Sequence, residues 1–288
     1  MKCYLCGCEK NNMIHKGVRD DTNTDVYKCE ECGLVFLGRQ IDDIDKFYEM
    51  SGMRASDSES GRDSALKAAE PDDIRRFRRV RPLIENKKVL DFGCGAGGFI
   101  RHARTAARLV DGIELEEKMR VEIAQEGISC YATVKECEQL GRNRYNIITL
   151  FHVLEHIPDP ISTLIKLKSL LEGGGRIIVE VPNADDALLG LYNNEAFSDF
   201  TYWSCHLYLF NTATLREIAQ RAGLKVNFIS QVQRYPLSNH LYWLSKGKPG
   251  GHVKWSAMND ETIDKLYGDL LAKFGIADTL FAEFEKEN

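Results

Sequence analysis

Asp91-Phe-Gly93-Cys94-Gly95-Ala-Gly97-Gly98 sets four glycines between a short apolar run and a stretch with helical spacing. Glycines at such a junction let the backbone approach a ligand closely, and they leave the first N–H groups of the helix pointing at it. Gly93, Gly95 and Gly98 also satisfy the G-x-G-x-x-G spacing of dinucleotide sites. Glu114, at the end of the next apolar run, is placed to accept hydrogen bonds from both ribose hydroxyls of a nucleoside, and Leu115 beside it can pack on the base.

A second cluster uses sulfur. Four of the nine cysteines fall as Cys3-x2-Cys6-Gly7 and Cys29-x2-Cys32-Gly33. The x2 spacing lets one tight turn present two thiolates, and the glycine that follows can take the positive φ this turn favours. Two such knuckles predict a metal held by Cys3, Cys6, Cys29 and Cys32. Zinc is the expected ion, and iron in a rubredoxin-like site stays open at this spacing. Four sulfurs leave no free coordination position, so the metal is expected to hold a fold together rather than to catalyse. Cys8 reads as a spare thiol on the first knuckle, with substitution for a ligand as the alternative.

The elements that must position these residues follow from hydrophobic periodicity. After a hairpin-like N-terminal piece, residues 51–64 (SGMRASDSESGRDS) are small and polar and read as a linker or lid. Residues 65–85 read as a helix whose main segment starts at Pro71-Asp-Asp, with Ile74, Phe77, Val80 and Ile84 at helical spacing. Arg75, Arg76, Arg78, Arg79 and Arg81 give it a basic face, solvated on the simplest reading and anion-facing on the other. From Lys87 a strand–helix alternation sets in: strands at 89–92, 109–115, 128–133, 145–153 and 176–181, with helices at 98–107, 116–126 and 160–171. A helix at 215–222 and strands at 225–231 and 279–285 complete the pattern. Such alternation implies an α/β fold with a parallel sheet covered on both faces. The expected organisation is a zinc-ribbon-like module over 1–38, a lid or linker with a helix over 39–86, and one domain over 87–288.

Asp91 separates the candidate cofactors. A carboxylate at the strand tip would repel a pyrophosphate, but it suits the cationic amino-acid end of S-adenosylmethionine (SAM). Asp91-x-Gly93-x-Gly95-x-Gly97 with Glu114 resembles class I SAM-dependent methyltransferases, whose fold is a Rossmann-like sheet with helices on both faces. The resemblance extends through Asn146–Pro160 and Leu170–Pro182. It implies that Asp91, Gly93, Gly95 and Glu114, with Cys94 and Leu115 beside them, bind SAM, and that Phe151 and His152 flank its methionine portion. The acid often present after the third strand of that family is absent, since Ala132-Thr133-Val134 stands there. His152-x2-Glu155-His156 also spells a zinc-peptidase motif, but it straddles a strand end and a turn instead of lying on one helix face. The same segment resembles a quinone-biosynthesis methyltransferase group that binds a divalent ion there, with His152 in place of its first carboxylate.

For the acceptor, the cysteine knuckles ahead of a methyltransferase-like region resemble bacterial sugar methyltransferases, and the segment Tyr202–Leu215 resembles a sugar C-methyltransferase stretch. Cys205 and Trp203 stand where that stretch has its Glu and Tyr, and only His206 survives. The expectation is therefore O-methylation of a nucleotide sugar or glycan in polysaccharide biosynthesis. His206 is the expected general base, a role that contributes roughly 10²–10⁴-fold, and Tyr202, Tyr208 and His240 are the acceptor-binding candidates. C-methylation of a deoxyketosugar, RNA methylation and a zinc-bearing binding protein with a vestigial methyltransferase fold are the alternatives. A net charge of −5 over 288 residues argues against nucleic acid. No apolar run approaches the roughly 20 residues of a membrane span, and no signal-peptide pattern opens the chain, so a cytoplasmic enzyme without membrane insertion is expected.

Overall fold

The computed structural model describes residues 1–39, 61–142 and 144–287, so most of the linker expected at 51–64 lies outside the described residues. Two sheets organise the chain. The first has four strands in the order β1-β2-β3-β9 and the second has seven in the order β10-β11-β8-β7-β4-β5-β6. The chain divides into two compact units. One comprises residues 1–42, 180–218 and 229–282, and the other residues 43–179, 219–228 and 283–288.

In the first unit, β1 (Asn11–His15), β2 (Val26–Cys29) and β3 (Val35–Leu37) form an antiparallel ribbon. The fourth strand, β9 (Tyr208–Leu209), comes from far along the chain and pairs with β3 through Val35↔Leu209 and Phe36↔Tyr208. The rest of this unit is mainly helical, with α6 (Glu195–Thr201), α8 (Leu237–Lys246), α9 (Gly251–Lys254) and α10 (Glu261–Phe274). None of these four helices is among the elements expected from sequence. The last of them, α10, leaves Ile263, Leu266, Leu270 and Phe274 exposed.

The second unit carries the alternation read from sequence. Strands β4 (Lys88–Phe92), β5 (Leu109–Ile113), β6 (Cys130–Tyr131) and β7 (Tyr145–Phe151) pair in parallel around β4, and β8 (Leu171–Pro182) follows β7 in the sheet. Val89, Leu90, Ile148 and Leu150 are buried, as expected of strands covered on both faces. The remaining elements are α1 (Gly61–Ile84), α2 (Gly98–Ala103), α3 (Glu117–Gln125), α4 (Val134–Gln139), α5 (Pro160–Ser169), α7 (Thr212–Arg221), which ends in this unit, and strands β10 (Lys225–Val232) and β11 (Thr279–Glu285). The sequence reading lacks α4, although Thr133-x2-Glu136 is a capping-box pattern. The Thr133 hydroxyl accepts from the Glu136 N–H at 3.1 Å, and the Glu136 carboxylate accepts from the Ala132 N–H at 2.7 Å.

Helix α1 runs unbroken through Pro71 and buries Val80 and Ile84 as expected, but in its middle Asp73 and Arg76 are buried where Ile74 and Phe77 were expected, and those two are only partly buried. Two charged residues therefore occupy the buried stripe near the start of α2. No described helix is long and apolar enough to cross a membrane.

Candidate functional site

In the seven-stranded sheet the strand order reverses between β4 and β7, and the crevice beyond the carboxyl ends of those strands is where open α/β sheets bind ligands. The glycine loop leaves β4 at this point. The Gly93 and Cys94 N–H groups both donate to the Ile113 carbonyl, at 2.8 and 3.1 Å, which anchors the loop to the tip of β5. Gly93 has φ +74°, and a Cβ there would stand 2.5 Å from a Val153 methyl, so no other residue fits this approach.

Glu114 holds the other side of the loop. One of its carboxylate oxygens accepts from the Gly95 N–H at 2.8 Å and the other from the Glu116 N–H at 2.9 Å. Burial pushes its pKa up. Each carboxylate oxygen keeps a lone pair beyond these bonds, which a ribose hydroxyl can use. Leu115 is 53 % exposed, an apolar surface available to a base. Asp91 is buried at the end of β4 and accepts from the Thr149 hydroxyl at 2.6 Å. Burial pushes its pKa up to about 7, with the nearby Asp73 and Glu114 adding to the rise and Thr149 and Arg76 opposing it. A buried acid in this state is poised to ionise when a cation arrives.

Phe151 ends β7 and packs edge-on against Phe99, at 4.8 Å between ring centroids. His152 follows with φ +55°, an uncommon conformation for a non-glycine residue that turns the chain sharply off the strand. Its Nδ1 lies 3.3 Å from the fully buried Glu155 carboxylate. Leu154–His156 form a single 3-10 turn, so the His152, Glu155 and His156 set does not line one α-helix face. Asp91, Gly93, Cys94, Gly95, Glu114, Leu115, Phe151 and His152 thus all belong to the second unit, on the loop and strand tips around this crevice.

Three residues of α1 face the loop: Arg62 and Asp73, which sequence reasoning did not single out, and Arg76, which it named only as one of a basic face. Arg62 donates to the Ala96 carbonyl of the loop at 2.9 Å and pairs with Glu126 at 2.6 Å. Asp73 packs so closely on Gly98 that a Cβ there would collide with its carboxylate. Arg76 lies 3.4 Å from Asp73 and 5.0 Å over the Phe151 ring, a buried cation at the Phe151 side of the crevice. The arginine-rich pattern of α1 was the available signal, but it did not show which arginine turns inward.

The residues expected to serve the acceptor lie in the first unit, mostly within packed structure. Tyr202 is buried with its ring 5.0 Å from His15, and burial alone pushes its hydroxyl up to about 12. Tyr208 belongs to β9, its ring 5.3 Å from that of Tyr4. His206 is partly exposed, with Nδ1 3.3 Å from the Thr201 carbonyl and its ring 5.5 Å from Trp203. His240 is buried on α8 between the Tyr267 hydroxyl at 2.7 Å and the Gln233 amide at 3.1 Å, and burial pushes its pKa down to about 4.

The four expected metal ligands converge. The Sγ atoms of Cys3, Cys6, Cys29 and Cys32 all lie within 4.8 Å of one another, with Cys3–Cys32 and Cys6–Cys29 each at 3.5 Å. Tetrahedral Zn–S bonds of about 2.3 Å require S···S separations of roughly 3.8 Å, so the set fits such an ion. Gly7 and Gly33 close the knuckles at φ +74° and +78°, their N–H groups bonded to the Cys3 and Cys29 carbonyls.

Comparison with known proteins bears on this geometry. Residues 65–227, more than half of the chain, match a family model described as a methyltransferase domain. The ubiquinone biosynthesis O-methyltransferase of Aeromonas salmonicida is 27 % identical over 164 residues, spanning 53 % of this chain and 69 % of that protein. Its namesake from Acinetobacter baylyi is 26 % identical over 222 residues, spanning 68 % of this chain and 93 % of that protein. A SAM-dependent methyltransferase from Archaeoglobus fulgidus shares the fold with a TM-score of 0.50 at 17 % identity, covering 78 % of this chain and 95 % of that one. These findings overturn the sugar acceptor and the polysaccharide pathway expected from the sequence, because these relatives carry a quinone-pathway name. The segment that suggested a sugar is spent on packing. Trp203 lies under the Arg19 guanidinium at 4.3 Å, Cys205 is fully buried, and Tyr208 and Leu209 extend the four-stranded sheet.

Proposed function

The chain belongs to the methyltransferase-domain family, a SAM-dependent enzyme by fold and by relatives, and from that premise we propose that it methylates a hydroxyl oxygen of a quinone-pathway substrate. The acceptor class is supported by the shared name of the curated relatives. The observation that carries the donor side is the glycine loop, pinned between Ile113 and Glu114 at the strand-order reversal. Gly93, Cys94 and Gly95 offer backbone to the donor, Glu114 the ribose acceptor and Leu115 the base contact. Asp91 and Arg76 supply opposite charges at the amino-acid end.

SAM supplies a methyl group on a sulfonium, open to in-line displacement by an oxygen nucleophile. The protein's task is then alignment, which is worth effective molarities on the order of 10⁵–10⁸ M, together with removal of the hydroxyl proton. A phenolic hydroxyl, like that of tyrosine, ionises near pH ~10 and makes a smaller demand on a base than an alcohol does. His206, partly exposed, is our candidate for that base. We further propose that Cys3, Cys6, Cys29 and Cys32 hold a structural zinc ion, supported by their convergence.

The test is transfer of labelled methyl from SAM to a panel of hydroxylated quinone precursors, with nucleotide sugars run in parallel. Methylation of a phenolic hydroxyl is expected. Labelling of the sugars alone would overturn the acceptor class, and absence of SAM binding by calorimetry would overturn the donor assignment.

A further inference from the structure

Two thiols outside the N-terminal cysteine set lie close together at the edge of the glycine loop. The Cys94 side chain, from the glycine loop, and the Cys130 side chain, from β6, bring their Sγ atoms to 3.7 Å. They meet over Gly112 of β5, which pairs with Cys130 in the sheet. A Cβ at Gly112 would stand 2.7 Å from the Cys94 sulfur and 3.2 Å from the Cys130 sulfur, so the two thiols share the space left by a missing side chain. Cys94 is buried and Cys130 is partly exposed.

We infer that Cys94 and Cys130 form a dithiol that a peroxide oxidises to a disulfide, and that this bond turns off SAM binding at the glycine loop. The inference rests on the reading of that loop as the SAM site. The chemistry balances with one peroxide. The Cys130 sulfur attacks one oxygen of the peroxide, the O–O bond breaks, and the departing oxygen takes up the thiol proton, which gives a sulfenic acid on Cys130 and one water. The Cys94 sulfur then attacks the Cys130 sulfur and expels its hydroxyl, which leaves as a second water with the Cys94 proton. Two thiols are oxidised by two electrons and the peroxide is reduced. Exposure assigns the two roles: Cys130 is partly exposed and is the sulfur a peroxide reaches first, while Cys94 is buried 3.7 Å behind it, in place to attack the sulfenic acid.

The consequence for SAM follows from distance. A disulfide needs sulfurs about 2.05 Å apart, so the pair must close by roughly 1.7 Å. Cys130 is held in register against Gly112, whereas Cys94 sits in a loop anchored by the Gly93, Cys94 and Gly95 N–H groups. Movement of Cys94 therefore pulls on the bonds that place Gly93, Gly95 and Glu114 for the donor. By linkage, bound SAM should in turn slow the oxidation.

The test treats the metal-loaded protein with hydrogen peroxide, maps its peptides without reduction, and measures SAM affinity by calorimetry before and after a thiol reductant. A Cys94–Cys130 linked peptide is expected, with a loss of SAM affinity of about tenfold or more, the scale of one charged hydrogen bond, reversed by the reductant. Cys130→Ala and Cys130→Ser should bind SAM normally and keep that affinity through peroxide treatment. Absence of the linked peptide, or a linked protein with unchanged SAM affinity, would overturn the inference. So would variants that lose SAM binding in peroxide as the parent does, because damage at the metal cluster would then be the cause. Reduced parent protein that binds no SAM would instead sink the methyl-transfer reading, a failure that the linked peptide keeps separate.

Discussion

Asp91 carries a stability cost that the ligand-free protein should reveal. Its pKa stands at about 7 in the fold, against 3.8 for the free group. Between those values the folded chain holds a proton that the unfolded chain has lost, so stability falls as pH rises through the window and levels off above about 7. From about pH 5 to pH 8 the fall covers some two pKa units, which at ~1.36 kcal/mol each is roughly 3 kcal/mol. Asp91→Asn removes the titration while leaving an oxygen to accept from the Thr149 hydroxyl, so its own fixed cost is the same at every pH. The stability difference between variant and parent should therefore move in favour of the variant by roughly 3 kcal/mol between about pH 5 and pH 8, or roughly 6–12 °C in melting temperature. The assay is thermal unfolding of both proteins without SAM across that range. A difference that stays flat with pH would refute the reasoning, and a shift toward the parent at high pH would reverse its sign. The variant should also bind SAM more weakly at pH 8, since the ionised carboxylate that meets the donor's cationic end is gone.

Glu114→Ala should raise the SAM dissociation constant tenfold to about a hundredfold, the value of hydrogen bonds to a charged acceptor, and calorimetry showing unchanged affinity would mean the ribose is not held there. Gly93→Ala drives a methyl into Val153, so loss of SAM binding in a protein whose circular dichroism is retained is the expected result. Removal of metal by a strong chelator, or Cys29→Ser, should release zinc measurable by mass spectrometry and expose the 1–39 ribbon to protease; equal protease resistance with and without metal would remove its structural role. His206→Gln should lower turnover while sparing SAM affinity, and full activity would exclude it as the base.

The sequence by itself determined what depends on neighbours along the chain. The glycine loop, the Asp91 and Glu114 strand tips, the Cys-x2-Cys-Gly knuckles and the strand–helix alternation are short-range patterns, and the structure reproduces each of them within the second unit or the N-terminal cysteine-bearing ribbon. Only the tertiary structure decided matters set by residues distant in sequence. It turned Asp73 and Arg76 of α1 inward, where Ile74 and Phe77 were expected, because that part of the helix packs on the glycine loop, with Asp73 against Gly98 and Arg76 over the Phe151 ring. Tyr208 became a strand residue because β3, more than a hundred and fifty positions earlier, left an edge for it to pair with. Cys94 and Cys130 met because the strand between them carries glycine at the crossing point, which periodicity cannot show. A local pattern fixes which groups a segment offers, while burial and pairing across the sheet decide which of them face one another.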